Sequence, residues 1–460
     1  MSRLVVVSNR LPVFPARGAT FDLPAGGLVA VLFDALRARR EGGLWLGWND
    51  RAHGAARTRR CRRSGVTLVG VALPPAEVEG YYDGFCNQAL WPILHCFPGR
   101  ARFDLEHLLR YRAAQERFAR ALVRELRPGD QVWIHDYHLL LLPELLRRRG
   151  FRGRVGFFFH TPFPPTDLWA LLPEAAALLA GVSQADLIGF QTRGDLANFA
   201  EGRRRLLGTR ARPTSPRRIR RGPRLGVFPV GIDAAEFEPS ATVERRPKSK
   251  SSLVELVGGR RVVLGVDRLD YSKGLPERFR AFALFLKQNP KWRRRVCLVQ
   301  IASPSRGGLD WYRRERAELE QLVGRINGEL AEVDWTPIRY LHRSFAREAL
   351  ARLYRGADVG LVTPLRDGMN LVAKEFVAAQ RKSDPGVLVL SRFAGASDSL
   401  RDAVLVNPYV IEETAAAITT ALAMALAERQ RRHRALRRIV RRESAKAWSE
   451  RFLAALAAPA

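Results

Sequence analysis

The stretch RVVLGVDRLDYSKGLPERF (261–279) decides how the chain reads. It opens as a buried strand, Val262-Val263-Leu264-Gly265-Val266. Asp267, Arg268, Asp270, Tyr271 and Lys273 follow without a spacer, then Gly274, and a helix-like run begins at Leu275-Pro276-Glu277. In open α/β sheets ligands sit beyond the carboxyl ends of the strands. An apolar strand ending in two cations and two carboxylates just before a helix has the layout of such an edge. The bland alternative is a surface ion-pair network of Arg268 and Lys273 with Asp267 and Asp270.

The same rhythm runs outward in both directions. LVVVS (4–8), GLWLGW (43–48), VTLVGVAL (66–73), QVWIHD (131–136), RVGFFFH (154–160), DLIGFQ (186–191) and RLGVFPVGI (224–232) read as strands. After the opening stretch come RVCLVQIA (295–302), PIRYLH (337–342), DVGLVTP (358–364), GVLVLS (386–391) and AVLVNP (403–408). Helical patterns lie between them, for example 26–39, where Leu28, Leu32 and Leu36 share a face, and 105–126. Apolar strands alternating with helices mean parallel sheets covered on both faces. The polar segment SATVERRPKSKSSLVEL (240–256) marks the boundary between two halves or the region just after it. The expected fold class is α/β: two doubly wound Rossmann-like domains facing a central cleft. Residues 1–235 form the first domain, 236–440 the second, and 441–460 a C-terminal helix packing back on the first.

A chain of 460 residues is long for one domain, in keeping with two. No apolar run reaches transmembrane length, and MSRLVVVSNRLPVF reads as a first strand and not as a signal peptide. Cys61, Cys86, Cys96 and Cys297 form no CxxC pair, which suits reduced thiols in a cytoplasm and suggests no structural zinc. The formal net charge is +31. It comes almost wholly from Arg scattered along the chain, denser in 210–224 and 429–442. A GC-rich coding bias produces that pattern, so nucleic acid is not expected as the main partner. A field that attracts anionic substrates is the expected consequence.

Polar residues concentrate at strand ends. They are Arg10, the group His135, Asp136 and His138, His160, the pair Arg268 and Lys273, Arg306, and Arg366 with Asp367. Gly368-Met369-Asn370 then open a helix carrying Lys374 and Glu375. Each has a structural alternative. His135 and His138 would satisfy backbone carbonyls, and Asp136 would cap the next helix. HDYH as a metal pair lacks further ligands, so no metal is expected. Gly26-Gly27 is either a turn or a place where backbone amides approach a phosphate. RQRRHRALRRIVRR (429–442) reads as a solvated helix face. Taken together, Arg268, Lys273 and the amides opening the 368–376 helix would neutralise a diphosphate. Glu375 would hold ribose hydroxyls and Asp367 sugar hydroxyls. Arg10 and Arg306, from opposite domains, would clamp an anionic group. That describes a nucleotide-sugar donor and a phosphorylated acceptor.

The motifs VVVSNRLP, AGGL, YYDGFCNQALWPILH, VWIHDYHLLLLPELLR, GFFFHTPFP, VDRLDYSKGLPERF and DVGLVTPLRDGMNLVAKEFVAAQ, in this order, resemble the trehalose-6-phosphate synthase family, glycosyltransferase family 20, with the GT-B fold. The resemblance covers nearly the whole chain. It implies transfer of glucose from UDP-glucose to glucose 6-phosphate with retention, giving trehalose 6-phosphate and UDP, without metal or other cofactor. It implies donor contacts from Gly26, Gly27, Arg268, Lys273, Phe345 and the run Asp367, Gly368, Met369, Asn370, Leu371, Val372 and Glu375. It implies acceptor contacts from Arg10, Tyr82, Trp91, Asp136 and Arg306, and places His160 near the donor sugar's hydroxymethyl group and anomeric carbon. Catalytic weight would fall on Arg268, Lys273, His160 and Asp136, with no protein nucleophile assigned. Another donor nucleotide (GDP or ADP), another acceptor such as glycerol 3-phosphate, and a non-catalytic sugar-phosphate regulator stay open. A homo-oligomer is compatible with the sequence. No phosphatase domain is expected after RFLAALAAPA, so dephosphorylation would need a separate protein. The loop 12–27 and the basic stretch 203–224 depart most from the family.

Overall fold

The computed structural model describes residues 3–11, 27–38, 42–49, 59–63, 65–208, 222–240, 257–304 and 310–459. The chain divides into two compact units, Met1–Pro229 with Ala445–Ala460, and Val230–Ser444. The expected divisions were at 235/236 and 440/441.

The first unit holds β1 (Leu4–Arg10), β2 (Gly43–Trp48), β3 (Arg59–Arg63), β4 (Val66–Val71), β5 (Gln131–His135), β6 (Arg154–Phe158), β7 (Leu187–Phe190) and β8 (Arg224–Val227). Their order is β3-β4-β2-β1-β5-β6-β7-β8. Every neighbouring pair is parallel except β3 with β4. Val5, Val6 and Val7 of β1 and Leu44 of β2 are fully buried, as continuous apolar runs in a sheet covered on both faces should be. Leu32 and Leu36 of the helix Gly27–Arg37 are buried, as their spacing predicts. The strand order reverses at β1 and β5, so Arg10 and Asp136 leave the sheet side by side.

The C-terminal helix Ala445–Ala457 belongs to this unit. Trp448, Phe452 and Leu456 recur four residues apart and are all fully buried. The Phe452 ring stacks on Trp133 with centroids 4.7 Å apart, and Trp448 lies 5.0 Å from the same indole.

The second unit has six parallel strands: β9 (Arg261–Arg268), β10 (Val296–Ser303), β11 (Ile338–Leu341), β12 (Val359–Val362), β13 (Val387–Ser391) and β14 (Val404–Val406). Their order is β11-β10-β9-β12-β13-β14, the doubly wound 3-2-1-4-5-6 arrangement. Val263 faces one apolar layer, while Val262, Leu264 and Val266 face the other. The order reverses between β9 and β12. The polar ends of the opening stretch and of DVGLVTPLRDG therefore meet at the switch point. Among the described residues no helix is long and apolar enough to cross a membrane.

Because Trp448 is fully buried against the core of the first sheet, Trp448→Ala should cost about 3–5 kcal/mol of stability. Chemical denaturation should show a lower midpoint with little change in slope. An unchanged midpoint would mean the helix is not anchored by this ring.

Candidate active site

The switch point of the second unit is built on a buried guanidinium. Arg278 is 1% exposed. Its Nη1 donates to Asp267 Oδ2 at 2.5 Å and Gln300 Oε1 at 2.8 Å, and its Nε to Thr363 Oγ1 at 3.0 Å. Asp270 accepts the Ser272 N–H at 3.0 Å and so closes the turn after β9. The two carboxylates of the opening stretch are thus structural. Asp267 pairs with Arg278, a partner that the local sequence does not single out. Leu365 N–H donates to Ser272 O at 2.8 Å, tying this turn to the one after β12. Gly274 sits at φ 64°, and a Cβ there would stand 2.8 Å from Thr363 O, so glycine is required.

Lys273, 7% exposed, places Nζ 2.5 Å from Asp367 Oδ2. Asn370 Nδ2 donates to the same oxygen at 3.0 Å, and Asn370 Oδ1 caps the helix Leu371–Ala379 through the Ala373 N–H. Asn370 holds φ 69°, a left-handed conformation that asparagine tolerates better than most residues. Gly368 and Met369 are buried, and Leu371 and Val372 half-buried. Tyr354 donates its hydroxyl to Glu375 at 3.0 Å, and burial pushes the Glu375 carboxyl up. Lys374 turns the other way, to Val230 O at 2.8 Å and Glu443 at 3.0 Å, and is structural. Arg268 is exposed at the end of β9. Phe345 is half-buried with the Arg343 guanidinium 4.6 Å over its ring.

In the first unit Arg10 is exposed, with its guanidinium 4.8 Å from the Trp48 ring and 4.5 Å from the Tyr82 ring. Such cation–π contacts orient a cation without neutralising it. Tyr82 stacks on His138 at 5.9 Å and lies on a 12-residue π-helix, Glu79–Leu90. π-Helical turns are rare and frequent at functional sites. Trp91 follows at once, buried against His95 and Tyr137.

Asp136 follows β5 at φ 72°. It does not cap the next turn with its side chain. Its Oδ1 instead accepts from His160 N–H at 3.2 Å and from Thr161 N–H and Oγ1 at 3.4 and 3.3 Å. Desolvation lifts its carboxyl to about 6, although these donors pull the other way. His135 Nδ1 lies 3.0 Å from His160 Nε2, so His135 bonds a neighbouring imidazole and not a backbone carbonyl. Burial lowers His160 to about 3 and His135 well below its ordinary value.

Gly26 and Arg306 lie outside the described residues, as do most of the loop 12–27 and residues 209–221; Gly27 opens the first helix. The remaining site residues fall into two groups. Arg268, Lys273 and Asp367 to Glu375 gather at one switch point. Arg10, Tyr82, Asp136 and His160 gather at the carboxyl ends of β1, β5 and β6. Among the described residues no three His, Cys, Asp or Glu side chains cluster as metal ligands would. The sequence reading missed Trp48 as the partner of Arg10, and the π-helix. The GLWLGW strand ending in Trp48, parallel to β1, is the signal that could have found the first.

The model of glycosyltransferase family 20 matches residues 2–458. The chain belongs to this family. It is 42% identical to the trehalose-6-phosphate synthase of Sinorhizobium fredii, over 98% of each chain. It is also 42% identical to the bifunctional trehalose-6-phosphate synthase/phosphatase of Thermoproteus tenax, over 99% of this chain but only 63% of that protein. The crystal structure of a UDP-forming α,α-trehalose-phosphate synthase from Burkholderia xenovorans, in complex with glucose-6-phosphate, matches with a TM-score of 0.89 at 40% identity, over 99% of this chain and 100% of that one. The fold of this family 20 chain is GT-B, the class its strand pattern and motifs predict.

Asp136 and His160 give opposite pH dependences. Between about pH 6 and pH 4 native Asp136 takes up a proton that the unfolded carboxylate does not, which favours the folded state on acidification. From about pH 6.5 down to about 3 the unfolded imidazole takes up a proton that native His160 does not, which disfavours it. Asp136→Asn should therefore steepen the acid loss of stability, and His160→Gln should lessen it, in urea unfolding across that range. Equal pH slopes in both variants and the parent would contradict the assigned shifts.

Proposed function

We propose that this chain transfers glucose from UDP-glucose to glucose 6-phosphate, giving α,α-trehalose 6-phosphate and UDP with retention at the anomeric carbon. The observation that carries the reading is the full-length family match, with the family's donor motifs folded into one group around Lys273 and Asp367. On this reading Arg268 and Lys273 stabilise charge on the departing diphosphate. A bound diphosphate competes with Asp367 for Lys273, which frees the Asp367 carboxylate for glucose hydroxyls. The amides opening the helix Leu371–Ala379 add the positive end of its dipole, and Glu375 takes the ribose hydroxyls. Phe345 lies by the base, and Gly26 and Gly27 close over the donor. Arg10 and Arg306 hold the acceptor phosphate; Tyr82, Trp91 and Asp136 shape its sugar site. His160 meets the donor sugar.

No protein nucleophile is assigned. The donor phosphate takes the acceptor's proton as the new bond forms on the same face. The paired-carboxylate logic of glycosidases does not transfer. Charge neutralisation by Arg268 and Lys273 leaves no step that calls for a metal. The cysteine usage supports a reducing, cytoplasmic setting, and a separate phosphatase would consume the product.

The test is nucleoside diphosphate release from UDP-, GDP- and ADP-glucose, each with and without glucose 6-phosphate, with the product identified by mass and anomeric NMR. UDP release that depends on glucose 6-phosphate, with an α,α-linked product, is expected. Preference for GDP or ADP would move the donor assignment, and no release with any donor would sink the synthase reading. Arg268→Ala and Lys273→Ala should each lower turnover by about 100-fold or more while leaving the Michaelis constant for glucose 6-phosphate nearly unchanged. Unchanged turnover in both would remove the leaving-group role.

A further inference from the structure

The hydrogen bond between His135 and His160 has a direction, and the surroundings of His135 decide it. The rings are 23° apart in plane, with centroids 5.3 Å apart and nitrogens 3.0 Å apart. The nitrogens meet near the ring planes, where an N–H and a lone pair point. Each neutral imidazole carries one N–H, and burial keeps both rings neutral. Only two arrangements remain. Either His135 Nδ1–H donates to His160 Nε2, or His160 Nε2–H donates to His135 Nδ1.

The second arrangement puts the only hydrogen of His135 on Nε2. That nitrogen is buried and has no hydrogen-bond partner in the protein. The ring is 4% exposed and packs on Trp133, with centroids 4.6 Å apart, and on Trp448, at 6.3 Å. The indole Nε1 atoms of both are also buried without an acceptor. A third orphan N–H in this cluster would be costly, and a buried acceptor left unmet is tolerated more readily than a buried donor. The first arrangement is therefore favoured. His160 then carries its hydrogen on Nδ1, the ring nitrogen not bonded to His135.

We propose that His135 is a positioning residue that fixes His160 in the Nδ1–H tautomer, so that His160 offers the donor sugar an N–H and not a lone pair. The role toward the sugar rests on the proposed transferase reading; the tautomer does not. The ligand group that this N–H recognises is an oxygen acceptor, such as a sugar hydroxyl oxygen. Trp133 and Trp448 extend the device, since their packing holds the His135 ring in place.

The test is long-range 1H–15N correlation of histidine-labelled, ligand-free protein at neutral pH, with His160 assigned from His160→Gln. The expected spectrum has His160 protonated on Nδ1 and bare on Nε2. His135→Asn keeps an N–H donor near the Nδ1 position and should preserve both the tautomer and most of kcat. His135→Leu removes it and should mix the tautomers and lower kcat about tenfold, with the Michaelis constant for glucose 6-phosphate unchanged. His160 protonated on Nε2 in the parent would overturn the proposal. So would a His135→Leu protein with an unchanged tautomer and kcat within about twofold, or a His135→Asn protein as impaired as His135→Leu. If His135→Leu does not fold, the parent spectrum and His135→Asn still decide. A parent inactive with every nucleotide sugar but showing the expected tautomer would sink the transferase reading alone. Full activity of His160→Ala would overturn the sugar contact.

Discussion

The Arg278 guanidinium is the interaction on which the second unit's site depends. It lies within the sheet's polar end, fully desolvated, and gathers Asp267, Gln300 and Thr363 from three adjacent strands or their ends. A buried charge is tolerated only when it is paired and its hydrogen bonds are satisfied. The requirement reaches into the strand itself. A Cβ at Gly265 would lie 2.2 Å from Gln300 Oε1 and 2.7 Å from Arg278 Nη1, so the strand carries glycine there to make room. Arg278 pairs with Asp267, and Lys273, further along the turn, pairs with a different carboxylate. That carboxylate comes from the far side of the switch point.

The first unit meets the same topological situation differently. Among the described residues, the arginine at its switch point, Arg10, is exposed. Arg10 lies against two aromatic rings, which direct it without removing its charge. Asp136 is fastened by backbone donors at a positive φ. One unit thus presents a buried cation held by a carboxylate, and the other an exposed cation lying over two aromatic faces. An incoming anion must compete with the Asp367 carboxylate at the first.

The alternation of apolar strands and helices was legible because parallel strands buried on both faces must be apolar throughout, and this is a local property. The site residues were legible as strand endings for the same reason, and the resemblance assigned their roles. What stayed hidden depends on contacts between distant residues. Nothing in VDRLDYSKG says that Asp267 will turn inward to Arg278 while Lys273 reaches Asp367, 94 residues away. HDYH suggested metal, backbone or capping roles, whereas the structure gives His135 to His160 through the adjacency of β5 and β6. The π-helix follows from packing that no short pattern in EGYYDGFCNQAL announces.

The shifted groups bear on how charge is handled in the reaction. Burial holds His160 and His135 neutral at physiological pH, so neither supplies a cation to a developing diphosphate. Asp136 is lifted to about 6 and stays mostly ionised at neutral pH, but three donors already occupy its Oδ1. A carboxylate fastened in this way is poorly placed to swing onto an anomeric carbon. The cations belong to the second unit's switch point, Arg268 at an exposed strand end and Lys273 paired with Asp367. The proposed chemistry follows that division. The first unit orients sugar oxygens with neutral donors and one fixed carboxylate. The second absorbs the charge that leaves with the nucleotide.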